Sequence, residues 1–375
     1  MRSDGRTVGR SDAIALLAAV FLSVCPTVRL SAQDSQFGVR GLGTPGRWES
    51  VRVRSTGGAF APFDPMSPLM DASVADVGRL TAVGMAATSY RDVDVAGSSA
   101  ALRSTRFPLM QLAGPVSPRL ALAGGFTTYL DKSWHVKTRG DTVLRGTDQP
   151  YTDEITSDGS VADLRLAAAS RLSRHLAVGV GVHLLAGSTR ATAQRRFDDT
   201  TYLRVVQTDE IRYDGYGVSA SALVGLAPGL SIAAWARSDS RLRTKVGEAV
   251  TDEADLPVMA GGGVLLAPSG GVRLAGSAAW RSWSRAGPGA FDTWSWSAGA
   301  EFGSRAPLRI GIRGGQLPFG PGTTAPTEFT VAAGTGRAFS QGHATVDLGL
   351  ERLERKGSGL DERVWTVLIG ITIRP

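Results

Sequence analysis

The 375-residue sequence predicts an all-β fold, a transmembrane antiparallel up-and-down β-barrel of about 14 strands with an N-terminal plug segment in its lumen. Three observations predict it. The N-terminus carries an export address, period-two alternation recurs from about residue 80 onward, and the connections between alternating stretches run short, long, short, long.

Residues 1–32 read as a signal peptide. Arg2, Arg6 and Arg10 precede an apolar run over 13–24, and the small residues Ser31 and Ala32 stand before the polar Gln33-Asp34-Ser35. The run is shorter than the roughly 20 residues that a spanning helix needs. Cys25 is the single cysteine, so cleavage near Ala32 leaves a mature chain without a thiol and excludes disulfides, thiolate metal sites and cysteine nucleophiles. Cleavage also removes four arginines and two aspartates, which takes the formal charge from +7 to +5, 37 basic residues against 32 acidic. The basic residues are scattered and no Lys/Arg cluster is interleaved with aromatics, so the sequence predicts no nucleic acid as a partner.

Residues 81–375 carry the barrel signal. In 365–373 one parity reads Trp365, Val367, Ile369, Ile371, Ile373 and the other Thr366, Leu368, Gly370, Thr372. In 176–184, Leu176, Val178, Val180, Val182 and Leu184 alternate with Ala177, Gly179, Gly181 and His183. The second face is small, polar or charged, as expected of a hydrated or loosely filled lumen, whereas a sandwich core takes large aliphatics on its inner face. About fourteen such stretches occur, joined by short turns near 115–118, 172–175, 227–229, 267–271, 303–307 and 337–342. Between them fall long polar stretches at 131–159, 188–211, 241–256, 284–291, 316–326 and 354–362, the pattern of periplasmic turns and extracellular loops. Trp134, Trp280, Trp283, Trp294, Trp296 and Trp365 stand at strand ends beside long loops, where an interfacial aromatic girdle is expected.

Residues 33–80 alternate weakly and are rich in Gly and Pro. Arg54-Ser55-Thr56-Gly57-Gly58-Ala59-Phe60-Ala61-Pro62-Phe63-Asp64 is the most motif-like run in the chain. Gly57-Gly58 permits positive φ and close backbone packing, and Pro62, Pro65 and Pro68 stiffen the stretch beyond them. A compact non-sheet segment suits the interior of a barrel too wide for side chains to fill.

This run resembles the N-terminal signature of the FadL-like outer-membrane transporters, long-chain fatty acid and aromatic hydrocarbon channels with PorV-type relatives. Arg54, Gly57, Gly58, Ala59, Phe60 and Asp64 match the signature. Asp71 stands in the Asn place of the next element, Asn-Pro-Ala, which here reads Met70-Asp71-Ala72-Ser73 without proline. The resemblance implies passive uptake of a hydrophobic small molecule, with these seven residues as plug and gate and exit sideways through a kinked wall. Pro108, which cannot donate to a ladder, and Gly124-Gly125 on the neighbouring strand are the candidates for that break. The alternative is a PorV-like barrel that does not transport and serves as shuttle or assembly factor for exported proteins.

No catalytic, cofactor-binding or metal-binding residues are expected. His135, His175, His183 and His343 lack a nucleophile motif or paired metal spacing nearby, with His183 and His343 expected on inward strand faces. Loop acids (Asp153, Glu154, Asp158, Asp252, Glu253, Asp255) and bases (Lys132, Lys137, Arg139, Arg145) would face water or lipopolysaccharide. The expected location is the outer membrane of a Gram-negative-type bacterium, with outer-membrane lipid as surroundings and the barrel assembly machinery as a partner during biogenesis.

Overall fold

The computed structural model describes residues 35–95, 98–269, 271–320 and 322–375; the expected signal peptide lies outside the described residues. Fourteen strands form a closed ring. They are β1 (Thr81–Val95), β2 (Ser98–Pro115), β3 (Leu120–Asp131), β4 (Thr147–Arg171), β5 (Leu176–Phe197), β6 (Val205–Ala227) and β7 (Leu230–Asp239) in the first half. The second half comprises β8 (Val258–Ser269), β9 (Val272–Arg281), β10 (Thr293–Phe302), β11 (Leu308–Gln316), β12 (Thr327–Phe339), β13 (Ala344–Gly357) and β14 (Leu360–Ile373). Each pairs antiparallel with its sequence neighbour, and β14 closes on β1 from Ile373↔Ala82 to Leu360↔Val95. Closure pairs the strand backbones around the ring, as a membrane demands, apart from one interruption between β2 and β3. No helix among the described residues is long and apolar enough to cross a membrane.

The alternation sorts the faces as the sequence implies. Val180, Val182 and Leu184 are 60%, 56% and 57% exposed, whereas Ala177 and His183, of the opposite parity, are 1% and 4%. On β14, Trp365, Val367, Ile369 and Ile371 face outward and Val364, Thr366, Leu368 and Thr372 inward. An arginine at Val180 or Ile369 is therefore expected to cost about 2–4 kcal/mol at mid-bilayer. Urea titration of protein refolded into vesicles checks this, with Thr372→Arg, facing the wet end of the lumen, costing less.

The long polar stretches differ from expectation. Much of 131–159, 188–211 and 241–256 is strand. Trp134–Leu144 forms a hairpin with the first half of β4, Arg241–Val246 pairs with Ala249–Asp255 and with β6, and β5 and β6 stay paired out to Arg195↔Val205. β4, β5 and β6 run 25, 22 and 23 residues, about a dozen beyond what a membrane crossing needs, or roughly 40 Å of ladder. Outside lipid the ladder continues on Thr and cross-strand charge such as Arg195–Asp153 at 2.7 Å, so the apolar alternation fades while the strand does not.

Two further expectations are corrected. Trp283 is not in the girdle: the turn Trp283–Ala286 folds inward, leaving its ring 2% exposed and edge-on to Phe319. His343 sits at a short turn, bonded to the Arg374 carbonyl, instead of on a strand face.

Candidate functional site

The lumen is filled. Residues 35–80 lie against the inward faces of the strands, built from short turns and a single helical turn, Val51–Arg54, whose Val53 N–H is capped by Ser50 Oγ. Arg52 makes a bidentate pair with Glu301 of β10 at 3.0 Å on both arms. Arg54 pairs with Glu351 of β13, its Nε 3.1 Å from Oε1. Glu49 is held by Arg313 of β11 at 2.9 Å and by Arg47 at 3.3 Å. Burial alone would raise the Glu49 carboxyl, and these two guanidiniums hold it down to about 2.

The glycine-rich inner face, which reads in the sequence as facing a hydrated or loosely filled lumen, here faces the backbone of the inner segment. A Cβ at Gly311 would lie 2.1 Å from the Thr56 carbonyl carbon, one at Gly299 2.4 Å from the Thr56 oxygen, and one at Gly334 2.1 Å from Ser55 Oγ. From the other side, Gly57 adopts φ +68° and its Cβ would meet Ile312 backbone at 2.6 Å. Backbone lies on backbone here, and any side chain would hold them apart.

The remaining motif residues have definite places. Gly58 also has positive φ, and Ala59 and Phe60 are buried with Val53 and Ala275. Asp64 stays within the segment, accepting from Ser50 Oγ at 2.6 Å and Ser67 Oγ at 3.2 Å. Asp71 pairs with Arg165 of β4 and accepts from Ser219 Oγ of β6 at 2.6 Å. That serine also lies 2.9 Å from His183 Nε2, whose Nδ1 faces Asp163 at 2.9 Å. The grouping has serine–histidine–aspartate order, but the hydroxyl proton is committed to Asp71, so the network fastens the segment to the wall. Arg165→Met would strand Asp71, 2% exposed, without its cation. A broken buried pair costs about 3–5 kcal/mol, so hydrogen exchange of residues 70–76 should rise steeply while the strands stay protected.

The wall is interrupted at Pro108. Between β1 and β2 the register shifts from Met85↔Leu109 to Ala87↔Arg106, which sets Phe107-Pro108 opposite one residue as a bulge. Pairing between β2 and β3 stops at Leu109↔Thr127. Beyond it, Asp131 and Leu130 pair with Thr44 and Pro45 of the inner segment. A cavity of about 130 Å³ opens there, lined by Ser104, Arg106, Pro108, Thr128 and Asp131 among others. Arg106 crosses the gap to Asp131 at 3.4 Å. Gly124 and Gly125 do not make a bulge: they pair in unbroken register with Leu112 and Gln111. The bulge in β3 falls at Tyr129, between Thr128↔Ala162 and Leu130↔Val161, and buries Tyr129 and Leu130 together.

On the long-hairpin side the segment meets an apolar cluster. Trp48 stacks on Tyr129 at 5.8 Å, with Trp235, Met259, Trp283, Phe319, Leu185, Leu242 and Tyr213 around them. Above it Lys132 lies 4.4 Å over the Tyr213 ring, and burial pulls its ammonium down to about 8. The two cavities beside Trp48 are only about 50 and 30 Å³, well below the roughly 150 Å³ that admits benzene. On the short-turn side a cavity of about 290 Å³ is ringed by charge, with Arg52, Arg273 and Arg309 on Glu301 and Arg309 on Asp347 at 2.6 Å.

Among the described residues no three His, Cys, Asp or Glu side chains could hold a metal ion. The loop acids are engaged: Asp153 with Arg195, Glu154 with His135, and Glu253 and Asp255 with Arg241.

These features define a transmembrane barrel whose lumen is filled by its own N-terminal segment. At the level of fold it is a FadL-like barrel. It is similar to a FadL homologue of Pseudomonas aeruginosa with a TM-score of 0.62 at 12% identity, over 88% of this chain and 99% of that one. The CymD monoaromatic hydrocarbon channel matches with a TM-score of 0.57 at 13% identity, over 89% and 98%. The Pseudomonas putida toluene transporter TodX matches with a TM-score of 0.56 at 11% identity, over 89% and 98%. No family model and no curated protein matches the sequence.

Proposed function

We propose that this protein is an outer-membrane channel for passive uptake of hydrophobic small molecules, with residues 35–80 as a plug and a lateral exit between β2 and β3. The observation that carries the reading is the coincidence of a filled axis with a wall whose pairing stops at Pro108. A solute captured in the apolar cluster around Trp48 would meet the ion pairs of Arg52, Glu301 and Arg309 if it continued along the axis. An apolar molecule gains nothing by entering a charged, wet vestibule and gains by moving into lipid. Arg106, Asp131 and the Thr44–Pro45 bridge would then act as the gate of the side opening, with Gly125 keeping room for Gln111 beneath it. The channel names of the structural neighbours support a transporter over an enzyme.

The test is uptake of labelled toluene and a labelled long-chain fatty acid by cells expressing the protein. Pro108→Val, which restores a donor, should lower uptake several-fold at equal surface expression. No uptake above an empty-vector control for either probe would favour the PorV-like reading. The observation on that side is the tall sheet beyond the membrane, whose Trp134–Leu144 strand has β4 as its one strand partner among the described residues and, beyond the Gln36 contact at His135, offers its other edge as a place to hold an exported chain.

A further inference from the structure

The chamber between Trp48 and Arg281 has a chemistry that a channel for neutral hydrocarbon does not need. Almost every arginine facing the inner segment has a carboxylate within 4 Å: Arg47, Arg52, Arg54, Arg165, Arg237, Arg309, Arg313 and Arg355. Arg281 has none among the described residues. Its one hydrogen bond is a long one, 3.4 Å to Ser295 Oγ, and its guanidinium carbon lies 5.9 Å from the Trp48 ring centre. The nearby carboxylates are already committed, Glu49 to Arg47 and Arg313, and Glu328 to Arg355.

Three more donors face the same place. Arg47 Nη1, Trp48 Nε1 and Trp283 Nε1 are buried without an acceptor, and all three residues line the 30 Å³ cavity with Arg281 and Arg313. A buried donor left unmet costs about 1–3 kcal/mol, so several converging on one cavity amount to a standing demand for lone pairs. Water could supply lone pairs, but it brings no charge to answer Arg281. The adjoining 50 Å³ cavity shares Gly46, Trp48, Arg281, Ser295 and Arg313 and continues onto Glu49, Ala61, Leu69 and Trp235. The donors thus form one end of a small compartment whose other walls mix apolar side chains with Ser277, Ser297 and the carboxylates Glu49 and Glu328, both already ion-paired.

Resting on the channel reading above, we propose that this compartment is the subsite for an oxyanion head on a compact apolar body, so that the permeant is an aromatic carboxylate. The carboxylate would sit between Arg281 and the two indole N–H groups, and the ring would lie along Trp48 by displacing Leu69. The two cavities together are smaller than a benzene site, so a ring enters only by moving Leu69, and a long alkyl tail would need several such displacements, which favours a ring-sized molecule over a fatty acid. Lys132, a half-buried cation with no carboxylate within 4 Å among the described residues, stands on the approach and would draw the same charge into the mouth.

The experiment is titration of tryptophan fluorescence in purified protein held in an uncharged detergent. The probes are 4-ethylbenzoate, its neutral isostere 4-ethyltoluene, and palmitate. We expect a saturable change with 4-ethylbenzoate at least about tenfold tighter than with 4-ethyltoluene, and a similar loss in Arg281→Met. Arg281→Lys should keep most of the affinity, since it keeps the charge. Heat-modifiable gel migration establishes that each variant is folded. Equal binding of 4-ethyltoluene, unchanged affinity in Arg281→Met, or tighter binding of palmitate would each overturn the subsite. Its failure is distinguishable from failure of the channel: toluene flux without 4-ethylbenzoate binding removes the subsite alone, and binding without flux of any probe removes the channel alone.

Discussion

Deleting residues 40–70 should turn a nearly silent barrel into a conducting one. In planar bilayers the wild type should show little ion flow, because the segment is ion-paired to β4, β10, β11 and β13 across the lumen. The deletion variant should conduct at least about tenfold more, as an open lumen lined by charged side chains must. The barrel should survive, since its strands pair with one another and the segment contributes only Thr44–Pro45 to the ladder. Heat-modifiable migration and circular dichroism report on the barrel separately from conductance. A deletion variant that folds yet stays silent would show that the hairpins on the long side, not the segment, close the pore.

Gly311→Val should have nearly the same effect through a single atom group. A Cβ there falls 2.1 Å from the Thr56 carbonyl carbon and 2.6 Å from the Gly57 nitrogen, and these are backbone atoms that cannot rotate away. Overpacking usually costs about 1–3 kcal/mol, and here the obstacle is rigid on both sides, so the upper end or more is expected. The segment should lift from β10 and β11, raising conductance and exposing the 51–60 region to protease. Gly84→Val is the control: nothing lies within 4 Å of a Cβ there, and the valine joins the lipid face. Equal conductance in the two variants would mean that the glycine face does not seat the segment.

The strands are legible in the sequence because lipid and lumen impose opposite demands on successive residues, and Val180–Gly181 or Ile369–Gly370 carry that contrast without long-range information. Pro108 is legible for a local reason too, since a proline cannot donate wherever it sits. Anything set by a partner hundreds of residues away is not. Arg54 is matched by Glu351, and nothing near either residue announces the other. The glycines of β10 to β13 are visible but ambiguous: an empty inner face and a face against another backbone look the same in one strand. Backbone freedom in β3 is greatest at Gly124-Gly125, yet the bulge falls at Tyr129. That ring stacks on Trp48 and its hydroxyl reaches Asp239 at 2.7 Å. The tall hairpins escape a reading by apolar alternation because outside lipid a strand needs only β-forming side chains and cross-strand partners.

The position of the inner segment in the chain also constrains the order of assembly. It leads directly into β1, the strand that closes the ring on β14, and its ion pairs reach strands on both sides of that seam. Once the seam is zipped, a folded body carrying Arg52, Arg54 and Asp71 cannot be threaded past side chains it is meant to grip. The segment must therefore lie inside the curling sheet before the last hairpin joins, carried as a passenger of a ring that closes on its own strand pairing.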